Sequence, residues 1–440
     1  MVVDDELDPS RSIFTQAYPV KDNQAMARRT LSPVLAAALL MLGITWAAAD
    51  EPAVSAILTS SQSRAAYLAH ATIWKDPGDL SSDQILAGPP DVFPYSAAEA
   101  LKGIGCTFVK PGKELGGKSP KFLCGTSDGR TLRLKYWDPE REAGNREVFA
   151  IVAATRLMWA LGFEVLHALP VNVRCHDCPG NPMTGEGARS DRDYVAEMSV
   201  YPPSGPRILS RDDPDQGWSW RELDDAIEAL PPGPERTRQR TYFDALTLLG
   251  VFMQHGDRKP EQQALYCDAP VDVTAGKREA SKVRDTGAVL LERPDASTCP
   301  KAAVVIVDVG ATFGGAGRTS SNETAKMDLD EWRGKTVFKP EGDGACRGRL
   351  TISLAAGRDG EGNPEISEDG RRFLLERLRR LSPAHVRAIF TAARVDQLHT
   401  APSSGAGLAA IDDWVAAFQD KVRQIETRQC HPAASGPILP

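Results

Sequence analysis

Residues Met253–Cys267 read MQHGDRKPEQQALYC, and no other stretch narrows the choice of fold as much. His255, Asp257, Lys259, Pro260, Glu261 and Gln262 follow one another at short, fixed spacings. A carboxylate, a cation two residues on and an amide oxygen five residues on can seat an acceptor hydroxyl, a moving phosphoryl group and a metal ion. Asp257, Lys259 and Gln262 fill those places. The same letters suit a polar turn at the end of a helix, with Pro260 fixing the bend. The rest of the chain separates the two readings.

The stretch resembles the HRDLKPEN loop of protein kinases, with Gly256 for the Arg, Arg258 for the Leu and Gln262 for the Asn. A helix over Arg236–Met253, with Tyr242, Phe243, Leu246, Leu249 and Phe252 on one face, delivers it. Residues 268–300 are polar and read as an insertion, with Cys267 and Cys299 at its edges. The β-branched run Ala303–Val307 follows as a buried strand and ends in Asp308-Val309-Gly310. An Asp leaving a buried strand before a Gly suits a Mg²⁺-binding turn, and it equally suits an ordinary strand end.

Upstream, strands are expected at Gly103–Val109 and Lys121–Cys124, with the loop Lys113–Lys121 between them. Gly116 and Gly117 let backbone N–H groups approach phosphate oxygens, and Lys118 and Lys121 add positive charge. Thr131–Tyr136 alternates as a strand carrying Lys135. Asn145-Arg146-Glu147 then opens an apolar helix that stops at Gly162. This segment, GGKSPKFLCGTSDGRTLRLKYW with NREVFA, is similar to the nucleotide lobe of HipA-type toxin kinases. The motifs also resemble those of secretory-pathway and spore-coat kinases, over roughly residues 100–400. The resemblance implies an α+β, two-lobed, protein-kinase-like fold, with a small antiparallel-sheet lobe and a larger, mainly helical one. It implies ATP and Mg²⁺ as cofactors. Lys135 and Glu147 would form the phosphate-holding ion pair, and Gln262 and Asp308 would hold the metal. Glu197 and Met198 would lie in the hinge against adenine, after strands at Val165–Val173 and Asp193–Met198.

The order of segments divides the chain. Residues 1–49 are an extension and signal peptide, and 50–95 a leader with a helix near Ser63–Trp74. Residues 96–200 form the small nucleotide-binding lobe, 201–430 the large catalytic lobe with a linker at 202–218, and 431–440 a tail. Trp218 and Trp220 are expected to pack in the large lobe. Late helices are expected at Ser367–Leu381, Pro383–Ala393 and Ile411–Thr427.

Met26, Arg28 and Arg29 precede a 13-residue apolar run, Val34–Trp46, and then Ala47–Ala49. That pattern is a signal peptide cleaved after Ala49. The run is short for a membrane span, which needs roughly 20 residues; the alternative is an uncleaved anchor, the one case with a membrane partner. Either way the chain is expected to be exported, to a periplasm or outside the cell. All eight cysteines lie beyond this run, and in an exported chain they fit up to four disulfides. Cys267–Cys299 is the favoured pair. Cys175-His-Asp-Cys178 is also open to a zinc or redox reading.

Net charge is −7 over 440 residues, so a broad basic footprint for nucleic acid is absent. Two functions stand. One is an exported kinase-like phosphotransferase, with Asp257 and Lys259 catalytic and a protein or small-molecule hydroxyl as acceptor. The other is an exported pseudokinase serving as a binding or scaffolding module. A variant of the first keeps the fold but transfers a nucleotidyl group, or acts on a small molecule.

Overall fold

Period-two burial builds the smaller of two lobes. A computed structural model describes residues 56–90, 92–112, 115, 119–137, 145–200, 207–210, 217–268, 290–291, 299–314, 326–340, 344–350, 363–398 and 409–430, all within the unit Ala49–Pro440. β1 (Ala56–Thr59), α1 (Ser61–Ala69), α2 (Ser82–Ala87) and α3 (Ala97–Lys102) precede the small lobe's strands. These are β2 (Ile104–Val109), β3 (Lys121–Thr126), β4 (Thr131–Tyr136), β5 (His167–Cys178) and β6 (Ser190–Val200). They close into a barrel in the order β2-β3-β4-β6-β5. Leu132, Leu134 and Tyr136 of β4 point into the barrel core, which puts Lys135 on its outer face. Phe122, Tyr136 and Tyr194 pack edge-on or tilted in that core, with ring centroids 4.9–5.4 Å apart.

Between β4 and β5 runs α4 (Glu147–Leu161), a helix apolar nearly all round and buried accordingly. It ends at Gly162, which has φ +86° and packs so closely that a Cβ would lie 2.1 Å from the Lys75 carbonyl oxygen. Only glycine satisfies both conditions.

The larger lobe holds β7 (Arg207–Ser210), α5 (Trp220–Glu228), α6 (Pro234–Met253), β8 (Gln263–Cys267), β9 (Leu290–Leu291) and β10 (Ala302–Ile306). It continues through α7 (Leu329–Gly334), the short pair β11 (Cys346–Arg347) and β12 (Glu365–Ile366), α8 (Glu368–Arg380), α9 (Pro383–Ala392) and α10 (Ile411–Thr427). Its main sheet runs β10-β8-β7-β1-β9. β8 and β10 pair antiparallel with Gln263 opposite Ile306 and Cys267 opposite Ala302. This pairing joins the end of the motif loop to the start of the Asp308 turn, whatever the length of chain between them. The two-lobed α+β architecture expected from the sequence is the one adopted.

Two boundaries differ from expectation. Residues 50–95 are not merely a leader: β1 pairs parallel with β7, and Leu68, Ile73 and Ile85 sit in the main hydrophobic core. Residues 202–218 are not merely a linker, because β7 lies between β8 and β1. Trp74, expected within the first helix, instead lies beyond it in an isolated bridge to Phe163. The expected signal peptide, most of the expected 268–300 insertion and the 431–440 tail lie outside the described residues. Among those described, no helix is long and apolar enough to cross a membrane.

The eight cysteines pair as Cys106–Cys124, Cys175–Cys178, Cys267–Cys299 and Cys346–Cys430, with Cα separations of 5.6, 5.7, 5.6 and 5.0 Å. Cys267–Cys299 is the expected pair. Cys175 and Cys178 bond to each other, so the open zinc reading does not apply to this paired form.

Candidate active site

Lys135 and Glu147 meet because β4 presents one outward while α4 begins at the other. Lys135 Nζ lies 3.3 Å from Glu147 Oε2 and 3.1 Å from Asp308 Oδ2. Burial acts to lower the pKa of Lys135, but Asp308, Glu147 and Glu197 outweigh it and hold the ammonium well above its usual range. Burial acts to raise Glu147; Lys135 and Lys326, with hydrogen bonds from Lys326 and Ser119, hold it well below the usual carboxylate range instead.

Lys326 and Ser119 carried no signal in the sequence. Lys326 Nζ is 2.6 Å from Glu147 Oε1, and the Ser119 hydroxyl donates to Glu147 Oε2. Lys326 follows the Gly-rich stretch Thr312–Arg318, most of which lies outside the described residues. The segment's near end is anchored by Phe313, whose ring packs against Trp332 at 5.1 Å and Phe390 at 5.8 Å.

Lys121 sits opposite Lys135 in the β3–β4 register. Burial, then the charges of Lys135 and Arg133, push it down to about 8. Glu197 lies opposite Lys135 on β6 and is buried beside it. Met198 does not face this space: its side chain is in the barrel core and its backbone is paired on both sides, with Leu134 and Leu169. An adenine contact from the backbone of Glu197–Met198, as expected of a hinge, would have to break that pairing. Among the described residues, β4 pairs with β6 only as far as Met198. Gly116 and Gly117 lie outside the described residues.

The motif loop starts where α6 ends. Gln254 terminates the helix in the left-handed region, with φ +56°, and its amide donates to the carbonyls of Val251 at 3.0 Å and Arg349 at 2.6 Å. His255 is buried, and among the described residues neither ring nitrogen has a hydrogen-bond partner. Burial, with the nearby Arg258 charge, pushes its pKa down to about 4. Arg258 stacks 3.6 Å over the Trp220 ring, so Trp220 packs under the loop itself, while Trp218 donates to the Ala264 carbonyl at 3.1 Å.

Asp257 Oδ1 lies 3.2 Å from Lys259 Nζ, and Oδ2 accepts from Gln262 Nε2 at 3.3 Å. Burial pushes Asp257 up; Lys259 opposes this, and Asp308 and Glu147 add to it. The Gln262 carbonyl accepts from the Val307 and Asp308 N–H groups at 2.8 and 3.3 Å. The motif loop and the Asp308 turn are therefore directly bonded. Asp308 Oδ1 accepts from Gly310 N–H at 2.9 Å, and a Cβ at Gly310 would lie 3.0 Å from Glu147 Cγ. A larger residue there would press on the Lys135–Glu147 pair.

Asp308 and Gln262 can offer only oxygen to a cation, which suits a hard divalent ion. Among the described residues no group of three or more His, Cys, Asp or Glu side chains is placed to hold a metal. Two protein donors fit an ion that takes most of its remaining ligands from phosphate and water.

No protein-family model matches the chain, and no curated protein sequence matches it. Among solved structures it is similar to the proinflammatory kinase CtkA of Helicobacter pylori, at 10% identity and TM-score 0.35, over 74% of this chain and 95% of that one. It is also similar to the Golgi casein kinase with Mn/ADP bound, at 10% identity and TM-score 0.30, over 74% of this chain and 72% of that one. A second structure of the Golgi casein kinase gives 11% identity and TM-score 0.29, over 74% and 73%.

Proposed function

We propose that the chain is an atypical kinase-like phosphotransferase that uses ATP and Mg²⁺. The observation that carries this reading is the Lys135–Glu147–Asp308 cluster, bonded through Gln262 to a loop bearing Asp257 and Lys259. Lys135, held charged, neutralises phosphate oxygens, and Glu147 keeps its ammonium in place. Lys121 adds charge from the adjacent strand. Asp308 and Gln262 hold the metal, which supplies charge neutralisation at the phosphates when bound. Asp257 accepts the hydrogen bond of the acceptor hydroxyl and takes its proton; its raised pKa makes it a stronger base than a solvated carboxylate. Lys259 faces the phosphoryl group in transit. Positioning and charge do most of the work in this chemistry, so the set suffices without a covalent intermediate.

The acceptor is a protein or small-molecule hydroxyl. Four cysteine pairs fit an oxidising compartment, so the exported location is part of the proposal. The second reading, a pseudokinase, is kept because of Gln262. Its side chain is one methylene longer than Asn, and its Nε2 is turned to Asp257. Misplacing a ligand by ~1 Å can cost ~10²-fold in rate.

Incubation of the purified protein with ATP, Mg²⁺ and a panel of hydroxyl acceptors, read by mass spectrometry, separates the readings. The expected product carries one phosphoryl group. A nucleotidyl adduct would move the chemistry to a different transfer. Nucleotide binding without any product would favour the pseudokinase.

A further inference from the structure

Two charged residues open α4, and each meets an opposite charge on one short segment of the larger lobe. Glu147 Oε1 lies 2.6 Å from Lys326 Nζ, and Arg146 Nη1 lies 3.4 Å from Asp328 Oδ2. Arg146 is the N-cap of α4 and makes no side-chain cap hydrogen bond. The first turn of the helix is therefore held from outside.

We propose that Lys326 and Asp328 are positioning residues: they form a clasp that fixes the Glu147 carboxylate and so lets Lys135 turn its charge to phosphate. The effect on nucleotide binding rests on the function proposed above; the clasp itself does not.

The segment that carries the clasp is tied down by its backbone. Met327 N–H donates to the Thr312 carbonyl at 3.0 Å and Asp328 N–H to the Phe313 carbonyl at 2.7 Å. Phe313 N–H donates in turn to the Met253 carbonyl at 2.7 Å, at the end of α6. Phe313 and Met327 are both buried, with φ +55° and +45°. Side chains are strained in that region, and such backbone persists only where its surroundings over-determine it. Asp328 does a second job: its Oδ1 accepts from Glu331 N–H at 3.0 Å and caps α7. The clasp thus joins α4 to the chain on both sides of the motif loop and the Asp308 turn.

The two pairs differ in weight. Glu147 and Lys326 are both buried. A buried carboxylate that loses its cation is left uncompensated, at high cost. Lys135 is the more distant partner of Glu147, at 3.3 Å, and it faces phosphate in the proposed reaction. If it alone balanced Glu147, each move toward phosphate would strip that carboxylate. Lys326 on the other oxygen removes the conflict, and the Ser119 hydroxyl holds the oxygen that Lys135 shares. Asp328 is part-exposed, so its pair with Arg146 adds less energy and mainly sets direction.

The test uses the full, oxidised chain and three variants. Lys326→Met removes the charge, Lys326→Arg keeps it, and Asp328→Asn keeps the oxygen that caps α7. Hydrogen exchange without ligand reads the clasp at the Val148, Phe149 and Ala150 amides, which donate to the Asn145 and Arg146 carbonyls at 3.1 Å. Lys326→Met is expected to speed them at least about tenfold and Asp328→Asn about threefold, with α8 unchanged. Unaltered exchange at these amides would overturn the clasp; if Lys326→Met does not fold, Asp328→Asn decides by the same reading. Calorimetry reads the consequence. Mg²⁺–ATP should bind at least about tenfold more weakly to Lys326→Met and within about threefold of wild type to Lys326→Arg. In a Lys135→Ala background, Lys326→Met should change affinity less than about twofold, because Lys326 acts through Lys135. A full loss in that background would overturn the positioning role. Absence of nucleotide binding by wild type contradicts the functional reading, while the exchange rates decide the clasp independently.

Discussion

Glu147 is the residue on which the charged cluster turns, because one carboxylate serves Lys135, Lys326 and Ser119 at once. Asp257 makes the sharper experimental case. Asp257→Ala is expected to reduce turnover at least ~10²-fold while leaving nucleotide affinity within about twofold, since Asp257 acts on the acceptor side. Steady-state kinetics and calorimetry on one preparation check both halves. Gln262→Asn shortens the amide and restores the residue usual in protein kinases, so it should preserve or raise the rate; a large loss would show that the longer amide, bonded to Asp257, is itself required. Lys121 supplies a pH signature. With its pKa pushed down to about 8, it is part-deprotonated at that pH, and an anionic ligand would recharge it. Nucleotide binding near pH 8 is therefore expected to take up a fraction of a proton, seen as a dependence of calorimetric enthalpy on buffer ionisation heat. Affinity should decline above pH 8.

At the scale of elements, the β8–β10 pair does the positioning, and the Cys267–Cys299 bond locks its far end. The bond spans 32 residues of sequence, so removing it with Cys267→Ser and Cys299→Ser is expected to cost about 3–4 kcal/mol on the loop-entropy model. Thermal unfolding under non-reducing conditions measures it; an unchanged midpoint would show that β8 and β10 hold without it. This pair was legible because Cys267 and Cys299 bracket a polar run between two apolar ones. Lys135, Glu147, Asp257 and Asp308 were legible for a related reason: each ends or interrupts an element with clear periodicity. Lys326 was not, because nothing local distinguishes a lysine that reaches back 179 residues to its partner. β1 and β7 were missed as sheet members because each is four residues long and pairs parallel across about 150 positions. The period-two pattern of β6 puts the Met198 side chain inward and Glu197 toward Lys135.

Across the whole molecule the helical lobe carries its own titrating group. Lys421 of α10 is buried under Trp332, 5.2 Å from the ring centroid, and donates to the Lys335 carbonyl at 2.6 Å. Burial pushes its pKa down to about 7. Between pH 7 and the ordinary lysine range, the unfolded chain holds a proton that the folded chain does not, so this group makes stability rise with pH across that window. Lys421→Met lacks the effect. Its stability relative to wild type should be most favourable near pH 7 and should decline toward pH 10, as denaturant midpoints at both pH values would show. The claim that binds the molecule together is that the two lobes meet on a nucleotide–metal site built from Lys135 and Asp308. Calorimetric titration of Mg²⁺–ATP into wild type, Lys135→Ala and Asp308→Ala tests it most directly. We expect saturable binding by wild type and affinity at least about tenfold lower for each variant. Binding by both variants that equals wild type would contradict the site.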